Sequence, residues 1–154
     1  MIRSVVIADS SALMALENIG EIDVLPKLFS EIIITPEVAR EYGRKTPDWI
    51  IIRTPTDASL LRTEINGLDA GEASSIAFAL DSKNPLLIID ERKGRRVAEQ
   101  LKIEIIGTVG LLIRARTAGF IDNPETLLQR LESVDFRLND FLKSILMEET
   151  DSIH

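Results

Sequence analysis

The sequence predicts an α/β fold in which a parallel β-sheet is covered on both faces by helices. Three observations predict it. Short runs rich in β-branched residues recur along the chain, and they are apolar throughout, as strands buried on both sides must be. Segments with helical spacing lie between those runs, an alternation that implies right-handed βαβ units and a doubly wound sheet. The 154 residues, 45% of them hydrophobic, suit one domain with its own core, so residues 1–154 are read as a single unit.

The elements follow in order. Val5-Val6-Ile7, Ile32-Ile33-Ile34, Leu86 to Ile89 and Ile103 to Ile106 read as buried strands, and Ile50-Ile51-Ile52 as a further one at an edge. A helix over Ser10 to Ile19 starts on hydroxyl caps and carries Leu13, Leu16 and Ile19. Thr35 caps the next, with Pro36 at its first position, and it runs to about Gly43. Asp69 to Leu80 places Ile76, Ala77 and Leu80 on one face. Arg92 to Leu101 and Val109 to Ala118 follow, the latter stopped by Gly119. Pro124 opens another helix, and Leu138, Phe141, Leu142, Ile145 and Leu146 form an apolar stripe at helical spacing. That stripe suits a core or a homodimer face.

Composition excludes several chemistries. Cysteine is absent and the one histidine is His154, which argues against thiol nucleophiles, serine–histidine triads and histidine-ligated zinc. Carboxylates are plentiful and suit hard cations such as Mg²⁺ or Mn²⁺. No apolar run reaches the length of a membrane span, and the run ending at Asp9 is too short for a signal peptide, so no membrane contact and a cytoplasmic location are expected. The net charge of −7 opposes non-specific binding of nucleic acid unless the acids converge on bound cations that reverse the local field.

Ligands of doubly wound sheets bind beyond the carboxyl ends of the strands. Asp9 follows the first strand and Asp90 the Leu86–Ile89 strand, so two acids can meet in one crevice. Either is alternatively a simple helix N-cap. Asp69 and Glu72 have the spacing of a capping box, a sufficient structural reason for both, while Gly71 lets a bulky partner approach. Glu37 and Glu41 lie on the helix after the second strand. At about 100° per residue, Glu41 sits roughly 60° from Val38 and Glu37 roughly 100°, so Glu41 borders the sheet and Glu37 points further to solvent. Arg92, Lys93, Arg95 and Arg96 lie beside Asp90, where they suit phosphate oxygens or an exposed face with one arginine paired internally. Thr108 is either another cap or a hydroxyl lent to the site.

The segments Ile7 to Leu13, Pro36 to Glu41, Asp69 to Ala73, Ile89 to Ala98 and Ile106-Gly107-Thr108 occur in an order that resembles PIN domains, the nuclease family that includes the VapC-type toxins. The similarity spans roughly residues 5 to 146 and is nearest a prokaryotic PIN-like subgroup. It implies a three-layer fold with a central parallel β-sheet flanked by helices, and a metal-dependent endoribonuclease, commonly the toxin of a toxin–antitoxin pair. It implies a pocket binding Mg²⁺ or Mn²⁺ through Asp9, Glu41, Glu72 and Asp90, with Ser10, Arg92, Arg95, Arg96 and Thr108 beside it. RNA as substrate, an antitoxin partner and a homodimer are the expected interactions. Many VapC-type members have aspartate where this chain has Glu72, so the pocket geometry differs there. A receiver domain fits less well, because Ala8 precedes Asp9 and no lysine ends the last strand. A catalytically silent PIN-like binding module is the remaining alternative.

Overall fold

The computed structural model describes residues 5–60, 62–133, 144, 146 and 147. Five strands, β1 (Val5–Ala8), β2 (Ile32–Ile34), β3 (Ile50–Ile52), β4 (Pro85–Ile88) and β5 (Glu104–Ile106), form one sheet in the order β3-β2-β1-β4-β5, and every pairing is parallel. The α-helices among the described residues are α1 (Ser10–Asn18), α2 (Val24–Phe29), α3 (Pro36–Tyr42), α4 (Asp57–Leu60), α5 (Ala70–Leu80), α6 (Arg92–Gln100), α7 (Thr108–Thr117) and α8 (Pro124–Ser133). This is a three-layer α/β arrangement, as the sequence predicts.

The absence of alternation in the strands follows from the layers. Successive strand side chains point to opposite faces. Val6, Ala8, Ile32, Ile34, Leu86 and Ile88 enter one core with Leu13 and Leu16 of α1, Val38 of α3, Leu111 of α7 and Leu127 of α8. Ile7, Leu87 and Ile89 enter a second core with Ile76 and Ala77 of α5 and Ala98 of α6. A strand with a core on each side is therefore apolar at every position.

The chain winds outward from β1 to β3, returns to β4 beside β1, and continues to β5. The direction of winding reverses between β1 and β4, which makes a crevice beyond their carboxyl ends, where open α/β sheets bind ligands. The register Ala8↔Ile88 puts the residues after both strands at its floor.

Some expectations need correction. The fourth strand spans Pro85–Ile88, and the fifth begins after Ile103 with an exposed Glu104, as befits an edge. Helix α7 starts at Thr108, with Gly107 in the cap position, so Thr108 is not a cap. Helices α2 and α4 leave no mark in the sequence pattern. At six and four residues they are too short for helical spacing to show. Of the stripe from Leu138 to Leu146, four apolar residues lie outside the described residues. Leu146 is buried in the α1 core, where its carbonyl accepts from Arg116 Nε at 3.0 Å.

Candidate metal centre

Asp9 follows β1 in extended backbone (φ −85°, ψ 158°) and its amide donates to Ile88 O at 2.9 Å, which ties it to β4. It occupies the cap position of α1, yet its side chain makes no capping hydrogen bond. Oδ2 accepts from Ser11 Oγ at 3.1 Å, while the buried Oδ1 has no partner among the described residues. Glu72 shows the same pattern. Its amide donates to Asp69 Oδ1 at 2.8 Å, which is one half of a capping box. The carboxylate does not complete the other half through Oε2, which is buried without a hydrogen-bond partner. Leaving a buried polar atom unsatisfied costs about 1–3 kcal/mol. Capping therefore does not account for either carboxylate, and each presents a buried oxygen that calls for a donor or a cation.

Glu41 reaches the same region from α3. Thr35 fixes that helix: its hydroxyl accepts from Val38 N at 3.2 Å and shares a 2.7 Å hydrogen bond with Ser74 of α5. Glu41 Oε1 then accepts from the Gly71 amide at 2.9 Å, and Oε2 from Ser10 Oγ at 2.8 Å. A Cβ on Gly71 would collide with that carboxylate, so the glycine makes room for a bulky partner, which is Glu41 itself. The exposure expected of the two glutamates is reversed: Glu41 is the more exposed, and Glu37 is half-buried and pairs with Arg40 at 3.4 Å. Direction separates them better than burial does, because Glu41 leans on Ser10 and Gly71 while Glu37 stays on its own helix.

Asp90 lies beyond β4 and reaches across to α7. Oδ1 accepts from the Thr108 amide at 2.7 Å and Oδ2 from Thr108 Oγ1 at 2.5 Å. Asp90 is not the cap of α6; Glu91 is, accepting from Lys93 N at 3.2 Å. A cleft of about 380 Å³ adjoins Asp90, lined by Arg92, Arg95, Arg96 and Glu99. Arg95 donates to Ile89 O at 3.0 Å, which is the internally held arginine, and Arg92 and Arg96 are exposed. Asp9, Glu41 and Glu72 are thus gathered around the starts of α1 and α5, whereas Asp90 stands one strand over.

In the sequence Asp69 is explained by its cap alone, and nothing assigns a role to Gly94. A Cβ on Gly94 would meet Glu72 Oε2 at 2.7 Å and Ile89 Cδ1 at 2.6 Å, so α6 approaches the site through a residue without a side chain. A lone glycine inside a helical pattern is the signal that could have marked it.

The electrostatics match the crowding. Burial raises the Asp9 carboxyl from 3.8 to about 6, opposed by hydrogen bonds from Ser10 and Ser11 and reinforced by the charges of Asp69 and Glu41. Burial also raises Glu72 from 4.5 to about 7, with further contributions from contact with the Asp69 carboxyl and from the charges of Asp69 and Asp9. As the side chains stand, no three acids among the described residues share a point from which all could ligate one ion. The donor set still fits a hard divalent cation: two unpartnered buried carboxylate oxygens, with Glu41 close by, and no soft ligand. No described helix is long and apolar enough to cross a membrane.

Comparison with known proteins gives one family: a model described as a PIN domain matches residues 5–152. No curated protein matches the chain.

Proposed function

Because the chain belongs to the PIN-domain family, whose members are generally nucleases, we propose that it is a metal-dependent endoribonuclease hydrolysing RNA phosphodiester bonds. The observation that carries this reading is the pair of buried, unpartnered oxygens, Asp9 Oδ1 and Glu72 Oε2, beside the reversal point of the sheet. Asp9 and Glu72 would hold Mg²⁺ or Mn²⁺, with Glu41 and Asp90 contributing directly or through water. Such a cation lowers the pKa of bound water and polarises the phosphoryl oxygens.

The chain's own groups do the rest. The Gly71 amide and Ser10 hydroxyl fix Glu41, and the amide and hydroxyl of Thr108 fix Asp90, so both carboxylates are oriented before substrate arrives. Arg92 and Arg96 line the cleft beside Asp90 and offer cations to the phosphates of an RNA strand. Arg95 holds the β4 end through Ile89 O. A toxin role under an antitoxin, and a homodimer, rest on the family resemblance alone.

A catalytically silent binding module is the second reading, favoured by the acids' not yet sharing one point. RNA incubated with the protein and Mg²⁺ or Mn²⁺, and again with EDTA, separates the two. Cleavage only with the cation is expected. Glu41→Gln should lower the rate by about tenfold or more, as loss of a group that ligates or orients ligands does, and Glu37→Gln should leave it within about twofold. Binding of RNA without cleavage by the wild type under either cation would support the silent module.

A further inference from the structure

Helix α5 begins with two consecutive amides that each donate to a carboxylate: Gly71 N to Glu41 Oε1 at 2.9 Å, and Glu72 N to Asp69 Oδ1 at 2.8 Å. One helix start therefore brings together an acid that the family resemblance assigns to the site and an acid that it does not. Independently, Asp9 and Glu72 are only 2% and 5% exposed, and each keeps a buried oxygen without a hydrogen-bond partner.

We propose that Asp69 is a fifth carboxylate of the divalent-cation pocket, serving both as the cap of α5 and as an anionic group that holds the cation; this rests on the metal-dependent reading above. A cap alone does not require an acid. Asparagine and serine cap as well as aspartate does, and neither adds charge. Placing a full negative charge beside Glu72, on the amide next to the one that holds Glu41, is unfavourable unless a cation occupies the pocket. Asp69 Oδ1 accepts the Glu72 amide, and the Asp69 carboxyl also meets the carboxyl of Glu72. Asp69 is also exposed, so the cation would meet it at the mouth of the pocket.

Calorimetric titration of the full chain with MnCl₂ tests this. Asp69→Asn keeps the cap and removes the charge. It should fold as the wild type does, melt no lower when metal-free, and bind Mn²⁺ about tenfold more weakly or worse. Asp69→Glu, which restores the charge, should recover part of the affinity. The proposal alone is overturned if Asp69→Asn binds Mn²⁺ like the wild type while Asp9→Asn binds none. If the wild type itself binds no Mn²⁺ at millimolar concentration, the metal-dependent reading falls with it.

Discussion

Asp9→Asn is expected to cut metal-dependent RNA cleavage at least about a hundredfold, since loss of residues that merely orient metal ligands already costs 10–100-fold. It is expected at the same time to stabilise the metal-free protein at pH 8. Asp9 and Glu72 titrate higher in the folded chain, at about 6 and about 7, than their ordinary values of 3.8 and 4.5. Over that interval the folded state binds more protons than the unfolded one, so stability falls as pH rises. The stabilising contribution is present in full below the ordinary carboxyl values and is lost as pH rises through about 6 to 7. Metal-free wild type should therefore melt lower at pH 8 than at pH 5.5. Asp9→Asn, which has no charge to bury at this position, should show a shallower slope. Glu21, raised chiefly by burial, works in the same direction, whereas Glu17, Glu64 and Asp81 are lowered and titrate below this window. Thermal melts in EDTA across the window measure the difference. A wild type whose metal-free stability rises toward pH 8, or a variant that retains its cleavage rate, would contradict this assignment.

Gly94→Ala should damage the site more than the fold. The added methyl would press on Glu72 Oε2 and on Ile89 Cδ1, both at the far ends of side chains that can move. Alanine favours the helix over glycine by about 1 kcal/mol. Overpacking a core costs about 1–3 kcal/mol. The two nearly offset, and a net loss within about 2 kcal/mol is expected. Displacement of the Glu72 carboxylate has no such compensation, and Mn²⁺ affinity and cleavage should each drop about tenfold or more. Paired melts and titrations check this. A variant that loses several kcal/mol yet binds Mn²⁺ normally once folded would mean that Gly94 serves core packing and not Glu72.

The sheet was legible because strands with a core on each side must be apolar at every position, and the runs at Val5, Ile32 and Leu86 are. The direction of the site was legible too, because acids directly after β1 and β4 fall at the reversal of the winding. The choice between cap and ligand was not. For Asp9 and Glu72 it depends on where one carboxylate oxygen goes, and spacing alone is the same in both cases. Asp69 was hidden for the same reason: its bond to the Glu72 amide is a true cap, and the cap signature masks its charge. The anchoring of Asp90 by Thr108 joins residues 18 apart on neighbouring strand ends, which no local pattern reports. Helix phase misjudged the exposure of Glu41 and Glu37, because what holds the Glu41 carboxylate, the Gly71 amide and the Ser10 hydroxyl, lies on other helices that its own spacing does not report.

The central claim is that the unpartnered oxygens of Asp9 and Glu72 receive a divalent cation. Crystals soaked in millimolar MnCl₂ test it directly through the anomalous signal of manganese. The expected result is a peak within ligating distance of carboxylate oxygens of both Asp9 and Glu72. No peak there, or manganese bound only elsewhere on the surface while the protein still cleaves RNA, would contradict it.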